Sequence, residues 1–419
     1  MPNLPAIASD LSWPFAMALA WVAGEYGHRW SGLPRISFYG LAGFAMAQLG
    51  VLPHGGAAPV LILADVAFGL ILFELGYRIN LRWLLSNPWL AVAGVAEALA
   101  TFGAVYWVAG ALGVSSVAAM LLASLSMATS PATVLRVVNE ERSAGQVTER
   151  VLHLAAFNCV LAVFAFNLVV GFRVFHTSAD LLQAAFGSFS TLLASGAAGA
   201  LAGIIVPAML RHLGGVVQDA TVAFALSVIL LVGLTYTGSL SPLLATLAFG
   251  LVARHRRVAF SQAQRNFGAL GEVLTVLLFV YAASTLEWSK VAAGAALALA
   301  MIGARLLAKV GAVALFAPLS GITWRKGWLT GLALTPMSVV VVLLLEHARQ
   351  QGVVFADELS VLAAMILMLE LAGPIVLQRA LIWASENQHE DATATTAPAE
   401  PAKPAEPQAA PPKSRATEP

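Results

Sequence analysis

The chain is a succession of apolar stretches, most of them as long as a helix that crosses a membrane. Such a crossing takes roughly 20 apolar residues, with about 17 to 25 allowed. Hydrocarbon offers the backbone no hydrogen bonds, so each crossing must satisfy its own polar groups, as a helix does. We therefore predict an all-α polytopic membrane protein with thirteen transmembrane helices. The candidate spans, numbered in chain order, are 12–30, 35–51, 57–80, 88–112, 116–138, 148–172, 181–210, 218–236, 241–254, 267–286, 290–317, 325–345 and 358–384.

Composition excludes most other classes of protein. Hydrophobic residues make up 59% of the chain and charged residues 11%, against about 25% charged in an ordinary soluble domain. The single cysteine, Cys159, excludes a disulfide framework and a cysteine-based metal cluster. The first ten residues lack a basic segment, so no cleavable signal peptide is predicted. The sequence has no metal triad, nucleotide-binding loop or catalytic Ser/His/Asp arrangement, and we expect no enzyme activity, no cofactor and no nucleic-acid partner.

Basic residues are distributed unevenly between the two sets of alternate loops. One set carries fourteen and the opposite set only Arg173, Lys290 and Arg349. Because cytoplasmic loops are enriched in Lys and Arg, this bias predicts the N-terminus outside and the C-terminus inside. The fourteen residues are Arg29, Arg35, Arg78, Arg82, Arg136, Arg142, Arg150, Arg211, Arg254, Arg256, Arg257, Arg265, Arg325 and Lys326.

The C-terminal segment differs in character from the spans. Residues 395–419 are rich in Ala, Pro, Glu and Lys and show no apolar periodicity. Such a segment buries too little apolar surface to offset its chain entropy, so 385–419 is predicted to be a disordered cytoplasmic tail. The excess of arginine and alanine points to a bacterial source, and the expected location is the inner membrane.

Span 5 contains a stretch that is poorly suited to a continuous helix. Residues 124–138 read SLSMATSPATVLRVV, with five hydroxyl side chains and Pro131. Proline removes a backbone hydrogen bond and clashes with the preceding turn. Breaks of this kind occur in transporters, where irregular backbone lines a cavity and inverted repeats duplicate the break.

A second copy of this motif lies in span 12. Residues 334–342 read LTPMSVVVV, and Thr335-Pro336-Met337-Ser338-Val339 aligns with Ser130-Pro131-Ala132-Thr133-Val134. The two spans are seven apart and so run in opposite directions, as an inverted repeat requires. Two crossed broken helices would bring half-helix ends of opposite partial charge into one small volume suited to a small ion. The alternative is that two unrelated helices are merely kinked.

Ionisable side chains inside spans are costly and indicate function. Arg305 and Lys309 of span 11 lie four residues apart, hence on one face. In the repeat, span 11 corresponds to span 4, which carries Glu97 near its middle. Several structural alternatives stay open: Asp65 and Glu74 could pair with Arg78 and Arg82, and Glu370 could pair with Arg305 or Lys309. The neutral pair Asn158 and Cys159 lies near the middle of span 6.

Four stretches together resemble the monovalent cation/proton antiporter superfamily, which includes the sodium/proton exchangers. They are Leu70 to Leu84, with Phe73-Glu74-Leu75-Gly76 near the inner end of span 3, Ala128 to Ala132, Glu149 to Asn158, and Trp324 to Trp328. The resemblance covers roughly residues 12–384. The order, the spacing and the predicted membrane depth of these stretches together carry the resemblance.

This resemblance implies a division of the chain and a dimer. A core domain would move against a scaffold through which two copies pair. The implied segments are 12–84 for scaffold helices 1–3, 88–172 for core helices 4–6, 178–210 for a linker helix, 218–286 for scaffold helices 8–10 and 290–384 for core helices 11–13.

The resemblance also implies a cation site. It would contain Thr129 and Ser130 at the break, the pair Asn158 and Cys159, and Glu74. Arg305 or Lys309 resembles the family's basic residue and, with Glu97 and Glu370, would balance charge. The residues of the breaks would be Pro131, Thr335, Pro336 and Ser338.

One departure from the family changes the expected mechanism. The family usually has Asn-Asp or Asp-Asp where this chain has Asn158-Cys159, and the aspartate binds cation and proton in turn. A thiol, with a reference pKa of about 8.5, is a weak substitute, and Glu74 becomes the expected replacement carboxylate. The implied function is exchange of Na⁺, K⁺ or Li⁺ for protons across the lipid bilayer. The alternatives are transport of an anion by the same fold and a non-transporting regulatory homologue.

Overall fold

The computed structural model describes residues 4–53, 58–174, 181–212, 220–256, 267–350 and 359–387. Within these ranges every regular element is an α-helix, and there are sixteen. They are α1 (Leu4–Ser31), α2 (Arg35–Gln48), α3 (Ala58–Arg78), α4 (Leu81–Ser86), α5 (Pro88–Ala111), α6 (Ser116–Ser126), α7 (Pro131–Glu140), α8 (Gln146–Val174), α9 (Leu181–His212), α10 (Ala220–Thr237), α11 (Pro242–His255), α12 (Gly268–Ser284), α13 (Trp288–Phe316), α14 (Trp324–Ala333), α15 (Ser338–Gln350) and α16 (Leu359–Trp383).

The predicted all-α membrane class is confirmed. Within the described ranges, eight helical stretches are long and apolar enough to cross a membrane, and two shorter helices are also apolar. The count of thirteen spans stays a prediction. One element was not predicted: α4, whose first turn is capped by Asn80 through its side-chain oxygen and the backbone N–H of Trp83, at 3.3 Å. Beyond residue 387 the predicted tail lies outside the described residues.

Both predicted breaks are present. The chain leaves helical geometry between Ser126 and Pro131, and again between Ala333 and Ser338, so each break spans four residues. The two prolines occupy different positions, however. Pro131 is the first residue of α7, where its missing N–H costs nothing. Pro336 lies inside the other break, two residues before α15 begins.

Burial separates central helices from peripheral ones. In the segment formed by α6, the first break and α7, 89% of the most apolar residues are buried inside the protein, against 33% in α5. The broken helix therefore lies in the middle of the molecule. Helix α5 turns one face inward, where Gly94, Glu97 and Thr101 are buried at helical spacing.

The helices around α11 approach one another almost backbone to backbone. A Cβ atom added at Gly250 would lie 2.0 Å from the carbonyl oxygen of Phe73 on α3, and one added at Gly199 of α9 would lie 1.9 Å from that of Ala245. A separate apolar cluster also joins α3, α10 and α11. In this cluster the ring centroid of Phe73 lies 5.1 Å from that of Phe224 and 4.8 Å from that of Phe249. These helices form one tightly packed unit.

A second unit is assembled around α13. This helix packs against α5, α14 and α16. The close contact with α16 requires Gly294, because a Cβ atom there would lie 2.2 Å from the carbonyl oxygen of Ser360. Helix α8 joins the unit through α5, α6 and α14. The expected core and scaffold boundaries stay predictions, but α13 lies where it can reach both breaks.

Candidate functional site

The two helix breaks are hydrogen-bonded to each other. The backbone N–H of Ser130 donates to the carbonyl oxygen of Pro336 at 2.8 Å, and the Thr129 hydroxyl donates to that of Leu334 at 3.3 Å. The Ser130 hydroxyl also caps α7 by accepting from the N–H of Thr133 at 3.4 Å. The predicted residues Thr129, Ser130 and Pro131 of the first break are buried, and so is Thr335 of the second. Ser338 begins α15, and its side chain lies outside what the structure describes.

Arg305 bonds to the C-terminal end of α6 and to the C-terminal end of α14. Its side chain is fully buried and donates to four backbone carbonyl oxygens: Ser126 at 2.9 Å and Ala128 at 2.8 Å from the first break, and Thr335 at 2.6 Å and Leu334 at 3.4 Å from the second. A helix C-terminus carries about half a negative charge, so one guanidinium neutralises two such ends.

Lys309, one turn further along α13, has a different environment. Its ammonium donates to Glu97 Oε1 of α5 in a short, fully buried ion pair. The same nitrogen donates to the carbonyl oxygen of Met127 at 3.2 Å and to Thr129 Oγ1 at 3.3 Å. Thr101 donates to the same carboxylate oxygen at 3.3 Å. Three kinds of oxygen, a carboxylate, a carbonyl and a hydroxyl, therefore surround one positive charge.

Asn158 of α8 completes this cluster. Its amide Nδ2 donates to Thr129 Oγ1 at 3.2 Å. The Thr129 hydroxyl thus accepts from Asn158 and from Lys309 and donates to Leu334, which uses its full hydrogen-bonding capacity. Cys159, the next residue, is buried and belongs to the apolar core.

The structure does not bring Glu74 into this cluster. Its carboxylate accepts from Arg78 at 2.8 Å and from Asn139 Nδ2 at 3.1 Å, so the expected pairing with Arg78 is present. Asn139 lies eight residues beyond Pro131 along α7, or about 12 Å at about 1.5 Å per residue. Glu74 therefore lies at the far end of α7 from the break.

Glu370 is also apart from the two cations of α13. Its side chain lies across Gly40 of α2, where a Cβ would be 2.8 Å from Glu370 Cγ. Neither carboxyl oxygen has a hydrogen-bond partner among the described residues. The pairing with Arg305 or Lys309, which the sequence left open as an alternative, is not observed, because the donors of these two residues bond to backbone carbonyls and to Glu97.

Asp65 has partners that the sequence did not indicate. It accepts a short hydrogen bond from the Tyr236 hydroxyl of α10 and lies 3.2 Å from His347 Nε2 of α15. The expected pairing with Arg78 or Arg82 is not observed. No periodicity or motif links these three positions in the sequence, so only the packing of three helices brings them together.

Comparison with known proteins decides the family. The sequence model described as "Sodium/hydrogen exchanger, transmembrane" matches residues 15–383. The chain belongs to the sodium/hydrogen exchanger family. It is therefore an integral membrane protein of a transporter family and not of an enzyme family. No curated protein matches the sequence.

Solved structures show the same fold. The sodium proton antiporter MjNhaP1 from Methanocaldococcus jannaschii at pH 8 superposes with a TM-score of 0.66 at 16% identity, over 90% of this chain and 97% of that one. An electron-microscopy structure of the same antiporter gives a TM-score of 0.68 at 17% identity, over 92% and 97%. At these identities the likeness shows that this chain has the fold of that antiporter, and no more.

Proposed function

We propose that this protein exchanges a monovalent cation, Na⁺, K⁺ or Li⁺, for protons by alternating access. The observation that carries the proposal is the buried ion pair of Lys309 and Glu97 at the meeting point of two helix breaks. A positive charge is already stable at this point, and oxygen ligands surround it. Membership of the exchanger family supports the same activity.

The hydrogen bonds of the site favour a cation over an anion. The side-chain nitrogens of Arg305 donate to carbonyl oxygens, and the single ammonium nitrogen of Lys309 donates to a carboxylate, a carbonyl and a hydroxyl oxygen. An anion would have to displace these oxygens and would then face the negative ends of α6 and α14. A cation meets oxygens with the right polarity.

The proposed architecture follows the exchanger family. The protein would have thirteen spans in two inverted repeats, with the N-terminus outside and the C-terminus inside. Helices α5–α8 and α13–α16 would form the moving core, and α1–α3 with α10–α12 the scaffold through which two copies pair. Within this arrangement Cys159 is an uncharged packing residue, since it belongs to the apolar core.

The proposal is tested by reconstituting purified protein into liposomes that carry an inside-acid pH gradient. Addition of Na⁺, K⁺ or Li⁺ outside is expected to collapse the gradient, and choline of equal concentration is the control. No response to any of the three cations between about pH 6 and pH 9 would reject exchange. A regulatory, non-transporting role would then remain.

A further inference from the structure

The resemblance to the antiporter superfamily implies a cation-binding carboxylate where this chain has Asn158 and Cys159, and neither of these side chains is a carboxylate. We infer that in this protein Glu97 of α5 supplies that carboxylate, and that the cation takes the position now held by the Lys309 ammonium. The inference rests on the proposed function and names the residue at its centre.

The first argument compares the buried carboxylates at membrane depth. Four occur in the described helices: Asp65, Glu74, Glu97 and Glu370. Three of them point elsewhere: Asp65 is bound to Tyr236, Glu74 to Arg78 and Asn139, and Glu370 lies against α2. Only Glu97 has a partner, Lys309, that also contacts the first break.

The second argument is that the ammonium group occupies a cation site. Lys309 Nζ contacts Glu97 Oε1, Met127 O and Thr129 Oγ1. Hard cations are bound by carboxylate, carbonyl and hydroxyl oxygens. Unwound backbone carbonyls at half-helix ends are also the ligands that transporters use for Na⁺.

The third argument is that two further oxygens in this cluster lack a partner. Glu97 Oε2 and Asn158 Oδ1 are fully buried, and neither has a hydrogen-bond partner among the described residues. A buried oxygen without a partner costs about 1 to 3 kcal/mol. A bound cation could bind such oxygens, whereas the three donors of the Lys309 ammonium are already used by Glu97 Oε1, Met127 O and Thr129 Oγ1.

The exchange of charge is balanced. Glu97 and Lys309 together carry no net charge. A monovalent cation that replaces the ammonium beside Glu97 adds one positive charge, and loss of one proton from Lys309 Nζ removes one. Glu97 stays ionised, Lys309 becomes a neutral amine, and one proton is released for each cation bound.

The experiment measures the thermal unfolding of the purified full chain in detergent against sodium concentration, with choline keeping ionic strength constant. A ligand that binds only the folded state raises the unfolding temperature. The wild type is expected to be stabilised. Glu97→Gln should need at least about tenfold more sodium for the same shift, a loss of about 1.4 kcal/mol of binding. Glu97→Asp, which keeps the charge, should recover part of the response.

Two further variants make the result decisive. Glu97→Gln/Lys309→Met replaces the ion pair by uncharged side chains of similar size, which buried sites tolerate, and should fold without responding to sodium. Asp65→Asn removes a buried carboxylate whose partners, Tyr236 and His347, do not touch the breaks, and should keep the wild-type response.

The outcomes separate the inference from the proposed function. A wild-type response to sodium in Glu97→Gln or in the double variant would overturn the inference, and so would loss of the response in Asp65→Asn. A wild type that is stabilised by none of sodium, potassium and lithium would also overturn it. Liposome exchange is a separate readout: binding that depends on Glu97, without any exchange, would support the site and reject the transport function.

Discussion

Arg305 and Lys309 lie on one face of α13 and stabilise the crossing in different ways. Arg305 bonds only to backbone carbonyls, and its planar group with five donors spans both breaks. Lys309 bonds to two side chains and one carbonyl through a single nitrogen. A fixed guanidinium therefore holds the half-helices together, while an ammonium that can lose a proton occupies the proposed site.

Replacement of Arg305 by lysine tests this division at the residue scale. A single ammonium cannot reach carbonyls on both breaks, so at least two buried carbonyls should lose their donor. At about 1 to 3 kcal/mol for each, we expect Arg305→Lys to lower the free energy of unfolding in detergent by about 2 to 6 kcal/mol. Arg325→Lys, at an exposed position bonded to the Trp383 carbonyl, should change it by less than about 0.5 kcal/mol. Equal effects of the two substitutions would contradict the role given to Arg305.

At the scale of elements, the short helices α6 and α7 depend on N-terminal caps. The first backbone N–H groups of a helix have no partner within that helix, and a buried N–H group without a partner is costly. Ser130 caps α7 and Ser115 caps α6, each by accepting from a backbone N–H at 3.4 Å. The two caps share their geometry but not their surroundings. Ser130 is buried, its hydroxyl also accepts from the Thr133 hydroxyl at 3.1 Å, and its backbone N–H donates to the other break, whereas Ser115 is exposed. Ser115 therefore serves as the control cap outside the site.

Alanine at either serine removes one cap. Both Ser130→Ala and Ser115→Ala should lower the free energy of unfolding by about 0.5 to 2 kcal/mol. Cation-driven proton flux in liposomes should fall in Ser130→Ala, since the N-terminal end of α7 lies at the site, and should keep the wild-type rate in Ser115→Ala. A normal rate in both variants would show that the cap at the break has no part in transport.

The broken helices could be predicted because their cause is local. A proline next to several hydroxyl side chains favours a helix break, and the two breaks lie at the predicted positions. Proline alone does not suffice, since Pro14, Pro207 and Pro374 lie inside continuous helices. Pro131 and Pro336, which are aligned in the sequence, take different local positions: Pro131 begins α7, and Pro336 lies inside the other break. Proline is tolerated at both kinds of position. Sequence spacing does not distinguish these two positions.

The partners inside the site could not be predicted because their cause is not local. Glu97 and Lys309 are 212 residues apart, and their pairing depends on how α5 packs against α13. The sequence indicated that both are buried and that their spans correspond in the repeat, but it assigned the cation to Glu74. That assignment came from a motif within α3, whereas the structure brings Glu74 to Asn139 of α7.

At the scale of the whole molecule, the carboxylates of Glu97 and Glu74 lie in different units: Glu97 is on α5, which packs against α13, and Glu74 is on α3, which packs against α11. Glu97, Thr129, Asn158 and Lys309 all belong to the helices grouped around α13, so a cation bound among them would travel with the proposed core. Glu74 belongs to α3 and bonds across to α7. A cation bound there would lie on the boundary between the moving units and would lose a ligand during each transition.

The position of a bound monovalent cation tests the central claim most directly. Thallium(I) gives a strong anomalous X-ray signal, and crystals grown in its presence would locate the ion without reference to any variant. The account predicts one anomalous peak in contact with Glu97, Met127 and Thr129, with the Lys309 side chain displaced from its present position. A peak beside Glu74 and Asn139, or no peak among the helices around α13, would contradict it.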